Sequence, residues 1–276
     1  TIGQKLVSKL FNKEFRKFHF KLVDSSEINA FALPGGYVYV TRGLLAALNN
    51  ESELASVIGH EIAHVTLHHG AKLMIRSIGA QIFSVAGAIA SPKNAGKWLA
   101  VSTALFQQIN MGYGREAELE SDSQGMLNST EAGYRPIAMV NFLKNLRKQE
   151  VMSGQAYHGF QASHPETKER IVKAGTFALS LSRKYTASIF NKNIYLQKLK
   201  GLVYGGRKHL KDKNKYKSKY LDIYKVQKGD TLKSISNKIY KDDRHSYEIA
   251  TINGIKESVT LNPGRILKII RDGVYK

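Results

Sequence analysis

The 276-residue sequence contains no cysteine. This absence excludes a disulfide framework, a cysteine-ligated zinc site and a thiol nucleophile. It also suits an oxidising envelope compartment, where a stray thiol would be a liability. Hydrophobic residues make up 42% of the chain, so a sizeable core can be buried and the composition is not that of a disordered protein.

Acidic residues are scarce. The 22 Asp and Glu face 42 Lys and Arg, which leaves a formal net charge of +20. Such a surplus indicates attraction to polyanions such as nucleic acid, anionic lipid or an acidic cell-wall polymer, or else a solvated, lysine-rich surface. No nucleic-acid recognition motif accompanies the charge, so we expect no nucleic-acid partner.

No apolar run is long enough to span a bilayer, which needs about 20 residues. The two longest apolar stretches, 78–90 and 98–106, flank a turn-like Ser-Pro-Lys-Asn segment. They predict a buried helical hairpin over 78–106, and the alternative is a hairpin that contacts a membrane surface or covers the active site. The N-terminus shows no charged region followed by an apolar one, so no signal peptide is visible. Because the chain opens on Thr1 without an initiating Met, we expect a processed or trimmed form.

Local patterns predict an order of elements and a division of the chain. Strand-like segments at 28–32 and 37–40 with a Pro-Gly-Gly turn predict a β-hairpin. Helical spacing of apolar residues follows Asn50, a good N-cap residue with Glu53 three positions later. Further helices are predicted at 115–127, 136–150 and 166–182. We expect a first domain over 1–182, a basic connector over 183–222 and a small second domain over 223–271.

The strongest motif is His60-Glu61-Ile62-Ala63-His64. Helical residues four apart share a face, so His60 and His64 can bind one metal ion with Glu61 beside it. Catalytic zinc takes neutral imidazoles and keeps one position open, and a neighbouring carboxylate can accept the proton of an activated water. The pattern predicts one Zn²⁺ per chain with Glu61 as the catalytic base. The alternative is an amphipathic helix whose histidines face solvent.

A third ligand must come from elsewhere. The extended zinc motif with a third histidine would need Gly at 67 and His at 70, but Leu67 and Gly70 stand there. Three ligands from one straight helix would span about 12 Å, too far for one ion. The acidic segment 116–122 is the candidate, and within it Glu118 and Asp122 share a helical face. One of them can bind the metal while the other orients a ligand histidine.

Several segments in order carry a family resemblance: NAF at 29–31, GYVYVTRGL at 36–44, ELA at 53–55, GHEIAH at 59–64 and REAELESD at 115–122. Through them, residues 27–172 resemble the HtpX- and BepA-like zinc metallopeptidases, number forty-eight among the metallopeptidase families. This resemblance implies zinc ligation by His60, His64 and Glu118, catalysis by Glu61, and a supporting role for Asp122. The family's usual Ala-Asp pair is Ser121-Asp122 here.

The same resemblance implies further roles. The strand with Asn29, Ala30 and Phe31 resembles the edge on which the family aligns an extended substrate. His164 would fill the open zinc position and hold the enzyme latent, or it would only cap a helix beginning near 166. Arg170 would stabilise the oxyanion or tie down the His164 loop, and the sequence leaves both roles open.

Residues 224–270 read as a strand, a Gly-Asp turn, two short helices and a Pro-Gly turn before a last strand. This order resembles a LysM domain, a module that binds glycans containing N-acetylglucosamine. The positions implied in glycan binding are Gly229, Asp230, Thr231, Gly254 and Ile255. The alternative is a module used only for packing or protein contact.

Together these features predict an α+β, mostly α protein with a zincin-type peptidase domain and a small βααβ LysM-like domain. The predicted function is zinc-dependent endoproteolysis of misfolded or misassembled proteins in a bacterial periplasm or cell envelope, with peptidoglycan association. Three alternatives are open: a latent assembly factor or chaperone, a peptidoglycan-binding protein with an ancillary peptidase domain, and a hydrolase of peptidoglycan peptides.

Overall fold

A computed structural model of the chain describes residues 1–10, 17–78, 112–153, 159–165, 168–206 and 218–275. The hairpin predicted over 78–106 therefore lies, apart from its first residue, outside the described residues. Within the described ranges, no helix is both long enough and apolar enough to cross a membrane.

The N-terminal part begins with helix α1 (Ile2–Val7) and a three-stranded sheet made of β1 (His19–Val23), β2 (Ala30–Leu33) and β3 (Tyr37–Thr41). The strand order is β1-β3-β2, with β1 parallel and β2 antiparallel to β3. The predicted hairpin is confirmed. Its turn needs glycine, because Gly36 has a φ of 85° and a Cβ there would lie 2.4 Å from the carbonyl oxygen of Lys17.

Helix α2 (Arg42–Ala47) leads into α3 (Glu51–Thr66), which carries the histidine motif. The predicted N-cap is confirmed, because the Asn50 side chain accepts a hydrogen bond from the backbone N–H of Glu53 at 2.9 Å. The Glu53 carboxylate in turn accepts one from the N–H of Asn49 at 2.7 Å. The helix ends at Thr66 with Leu67 as its C-cap, and His68, with a φ of 59°, separates it from α4 (His69–Ile78).

Helix α5 (Arg115–Glu131) packs directly on α3 and runs four residues past the predicted end of the helix. Two glycines allow this close approach. A Cβ on Gly59 would lie 2.8 Å from the carbonyl oxygen of Gly125, and a Cβ on Gly125 would lie 2.6 Å from the N of His60. Since real Cβ contacts are not this short, larger side chains would push the two helices apart. The glycine pair thereby sets the distance between the histidine motif and the acidic segment.

Three further helices complete the N-terminal part: α6 (Ile137–Ser153), α7 (Phe160–Ser163) and α8 (Lys168–Lys184). The predicted helices at 136–150 and 166–182 correspond to α6 and α8. Buried side chains of α3, α6 and α8 share one apolar core with β2 and β3. This core lies beneath the motif on α3.

The segment predicted as a basic connector contains folded elements. Helix α9 (Lys192–Lys198) and the short strand β4 (Val203–Tyr204) lie within it. Tyr195 and Leu196 of α9 are buried in the main core, and the lysines of this helix are exposed or partly exposed. Because the segment contains many lysines, its composition does not indicate this apolar face. Residues 207–217 of the segment lie outside the described ranges.

The C-terminal unit has the predicted βααβ order, which is confirmed. Strands β5 (Lys219–Lys225) and β6 (Ile266–Asp272) pair antiparallel, and β4 extends the sheet beside β5. Between them lie α10 (Leu232–Tyr240), a 3₁₀ turn and α11 (Ser246–Ile252). A second apolar cluster fills this unit.

The two parts are joined by a buried lysine. Lys268 on β6 is fully buried, and its Nζ donates to the carbonyl oxygens of Ala46, Ala47 and Leu48 at 2.7, 3.2 and 2.8 Å. These carbonyls lie at the C-terminal end of α2, where a cation is favourable. Burial lowers the pKa of Lys268, and nearby Glu53 partly offsets this effect. The C-terminal unit is therefore docked on the part that carries the histidine motif.

Candidate metal centre

Four side chains from three parts of the chain meet at one point. His60 and His64 come from α3, Glu118 from α5, and His164 from the residue that follows α7. One donor atom of each lies within 4.8 Å of the others, and all four residues are buried. The Nε2 atoms of His60 and His64 are 2.9 Å apart, and Nδ1 of His164 lies 3.0 Å from Oε1 of Glu118. Residues more than 100 positions apart thus form one compact donor set.

Asp122 and Arg170 contact the donor set and fix its side chains in position. Asp122 lies one turn beyond Glu118, and its Oδ1 accepts from Nδ1 of His60 at 2.9 Å. The Arg170 guanidinium donates to both oxygens of Asp122 at 2.8 Å. Its Nη1 lies 2.8 Å from Oε2 of Glu118 and donates to the carbonyl oxygens of His164 and Pro165 at 3.2 and 3.1 Å. This geometry favours loop support over oxyanion binding for Arg170.

The carboxylates give the site a negative field. Burial alone would lower the pKa of His60, but Glu118 and Asp122 outweigh it and raise that pKa to about 9. Burial would raise the pKa of Glu118, but His164 and His60 hold it well below its usual range. For His64 burial dominates and lowers the pKa well below its usual range, which favours the neutral ring. A field that favours a proton on His60 also favours a metal cation at the same place.

Glu61 lies beside the donor set with its carboxylate fully buried. Among the described residues, neither of its oxygens has a hydrogen-bond partner, although Nε2 of His164 lies 3.3 Å from Oε1. Burial raises the pKa of this carboxyl, and His164 partly opposes the rise. A buried carboxylate without a donor is costly unless a ligand completes its surroundings. Imidazole nitrogens and a carboxylate also form the donor set that suits zinc, so these residues fit a metal ion.

The predicted substrate strand borders this centre. β2 is at one edge of its sheet, and no other described strand pairs with its outer side. Its start is tied to the His164 segment, because the N–H of Phe160 donates to the carbonyl oxygen of Ile28 at 2.6 Å. A cavity of about 610 Å³ extends from His64 past the end of β2 and is lined in part by Ala32, Leu33, Pro34 and Tyr113. Asn29, Ala30 and Phe31 thus belong to an open-edged strand segment whose start is bonded to the segment that carries His164.

Sequence reasoning did not identify two residues near the cluster, Tyr113 and His69. The ring of Tyr113 stacks on His64 with centroids 3.9 Å apart. His69 is buried with its Nδ1 3.1 Å from Nδ1 of His64, and its Nε2 lies 3.1 Å from Oε2 of Glu120. The only local signal for His69 in the sequence is that it directly follows another histidine, His68. Its position beside His64 depends on the break between α3 and α4 at His68, which spacing along a straight helix does not predict.

The positions implied in glycan binding have structural partners. The Asp230 carboxylate accepts from the N–H of Gln227, the hydroxyl of Tyr224 and Nζ of Lys238 at 2.7, 2.8 and 2.6 Å. Thr231 is the N-cap of α10. Gly229 has a φ of 84°, which the turn between β5 and α10 requires. Gly254 lies against Asn145 of α6, where a Cβ would meet the amide nitrogen at 2.4 Å. The loop of Gly254 and Ile255 therefore contacts the N-terminal part.

Comparison with known proteins matches each of the two units to a protein family. Residues 1–177 match peptidase family M48, and residues 224–269 match the LysM domain. The beta-barrel assembly-enhancing protease of Escherichia coli K12 is 32% identical over 220 residues, which cover 76% of this chain and 44% of the relative. The Yersinia pestis protein of that name is 32% identical over 247 residues, 86% of this chain and 48% of the relative. The mitochondrial metalloendopeptidase OMA1 of Arabidopsis thaliana is 29% identical over 149 residues, covering 54% of this chain and 29% of the relative. The chain thus spans less than half the length of these relatives.

Proposed function

The chain belongs to peptidase family M48 and carries a LysM domain, and from these facts and the site geometry we propose that it is a zinc-dependent endopeptidase of the bacterial cell envelope. One observation carries the proposal: His60, His64 and Glu118 converge beside the buried carboxylate of Glu61. Family membership implies a metal cofactor. The assignment of zinc, one ion per chain, is supported by the two imidazoles and single carboxylate.

The residues of the site would have two roles, metal binding and proton transfer. His60, His64 and Glu118 would hold the ion, and Asp122 would orient His60 through its second ring nitrogen. When bound, zinc polarises a peptide carbonyl and lowers the pKa of water to about 7. Glu61 would take the proton of the attacking water and pass it to the leaving amine.

Substrate alignment is proposed for the edge of β2. An extended peptide added as a further strand beside the segment Asn29–Phe31 would gain backbone hydrogen bonds from Ala30, since both backbone groups of Asn29 already pair with Thr41, and would lie at a fixed height over the cluster. The neighbouring cavity, which is lined partly by Ala32, Leu33 and Pro34, would receive a side chain. This arrangement suits unfolded protein segments, which can adopt an extended conformation.

The proposed location is the periplasm or cell envelope. The relatives from Escherichia coli K12 and Yersinia pestis are named beta-barrel assembly-enhancing proteases, and the LysM domain suggests contact with the cell wall. We therefore propose misfolded or misassembled envelope proteins as substrates. Peptidoglycan is proposed as the second partner, reached through the LysM domain.

Metal removal tests the proposal. The purified 276-residue chain should contain about one zinc per molecule, as expected for a mononuclear site, and should cleave unfolded casein but not muropeptides. Dialysis against a chelator should remove zinc and abolish cleavage, and added Zn²⁺ should restore both. Metal-replete protein without stoichiometric zinc would refute the proposed site. Cleavage of muropeptides instead of casein would favour the peptidoglycan hydrolase.

Association with the cell wall has its own test, which must separate recognition from charge. The 276-residue chain should sediment with purified peptidoglycan and stay bound in 0.5 M salt, at which exposed charges beyond about 4 Å are screened. Soluble oligomers of N-acetylglucosamine should release it. Release by salt together with no effect of the oligomers would show that the net charge of +20, and not the LysM domain, causes retention.

A second function is favoured by one observation, the presence of His164 within the donor set. A fourth protein donor would occupy the position that a catalytic zinc site leaves open. The chain would then be a latent assembly factor or chaperone that cleaves only after His164 moves. The fold and metal site are the same in both functions, so only the effect of His164 on cleavage separates them.

A further inference from the structure

His69 lies next to the proposed metal centre. Its ring is buried, and its Nδ1 is 3.1 Å from Nδ1 of His64 and 3.1 Å from the hydroxyl oxygen of Ser121. The other ring nitrogen, Nε2, lies 3.1 Å from Oε2 of Glu120. The Glu120 side chain is 55% exposed. A line of hydrogen-bonding groups therefore runs from His64 to the protein surface.

The orientation of His64 determines where the protons lie. Its Nε2 faces the donor set, 2.9 Å from Nε2 of His60 and 3.4 Å from Oε1 of Glu118. A neutral imidazole that offers its Nε2 lone pair to a metal carries its proton on Nδ1. That Nδ1–H points at His69, whose Nδ1 must then accept. The His69 proton is consequently on Nε2, where the Glu120 carboxylate accepts it.

The two histidines on α3 thus have equivalent support. His60 has the carboxylate of Asp122 on its Nδ1, and His64 has His69 in the same place. We propose that His69 is a positioning residue for the metal centre, whose Nδ1 accepts from Nδ1–H of His64 and so fixes the tautomer and ring orientation in which His64 binds zinc. This inference rests on the proposed function, since it assumes that His64 is a zinc ligand.

The test measures zinc affinity of the 276-residue chain by competition with a chromophoric chelator, and does not depend on cleavage. His69→Ala should weaken zinc binding about 10- to 100-fold, the usual cost of losing such a partner. His69→Asn should retain most of the affinity, because the Asn carbonyl oxygen occupies the position of Nδ1. His69→Gln should not, because its carboxamide is one bond further from the backbone.

His68→Asn is the matched control, since it removes the adjacent, exposed histidine and Asn tolerates a positive φ. It should bind zinc as the wild type does. If His69→Ala does not fold, the zinc affinities of His69→Asn and His69→Gln still test the positioning role. Equal affinity of these two variants, or wild-type affinity of His69→Ala, would overturn the positioning role. Absence of zinc from the wild-type protein would overturn the proposed function together with this inference.

Discussion

Replacing Glu61 with Gln should abolish casein cleavage while zinc stays bound. Gln has the same shape but cannot accept a proton from water, and loss of a general base typically lowers the rate about 10²- to 10⁴-fold. The zinc ligands proposed here do not include Glu61, so zinc content should be unchanged. The measurement is the initial rate of casein cleavage at saturating zinc, with the metal content determined on the same samples.

Stability distinguishes loss of a base from loss of the fold. The Glu61 carboxylate is fully buried, and within the described part of the chain neither oxygen has a hydrogen-bond partner. Its charge is therefore a cost to the metal-free fold, and the neutral Gln should not lower the unfolding temperature of that form. Glu116→Gln, which changes an exposed residue at the start of α5, should leave cleavage unchanged. Wild-type cleavage by Glu61→Gln would mean that another group is the base.

Much of the fold was predictable because the signals are local. The Pro-Gly-Gly turn, the Asn50 cap and the strand–helix–helix–strand order of the C-terminal unit each depend on a few adjacent residues. Helix α9 was not predicted, because its lysines dominate the composition of its segment. Burial of Lys268 was also not predictable. Its partners are carbonyl groups about 220 positions earlier, and lysine is otherwise rarely buried.

The candidate site likewise has features that the sequence predicts and features that it does not. Spacing along one helix places His60 with His64 and Glu118 with Asp122, so each pair follows from the sequence. The distance between the pairs depends on the contact of Gly59 with Gly125, which no pattern along the chain reveals. His164 was predicted only through the family resemblance. His69 was missed because its position depends on the break in the helix after α3, where His68 has a positive φ.

The loop that carries His164 is held in several ways. Its backbone N–H donates to the carbonyl oxygen of Phe160 at 2.7 Å, and its own carbonyl accepts from Arg170 at 3.2 Å. The N–H of Tyr113 also donates to the carbonyl oxygen of Ser163 at 3.2 Å. These bonds keep the His164 ring within the donor set and next to Glu61. Substrate cleavage would require the ring to leave, which breaks some of these contacts.

His164→Ala should therefore raise cleavage of casein. A minor competent state is typically populated at about 0.1–10%, so removing the blocking side chain should increase the rate about 10-fold or more. Zinc should stay bound, because His60, His64 and Glu118 remain, and the measurement is the initial rate at saturating zinc. His245→Ala, a change on the surface of the C-terminal unit, is the control for loss of a histidine and should have no effect. Unchanged cleavage and zinc affinity in His164→Ala would exclude latency, whereas loss of zinc would make His164 a structural ligand.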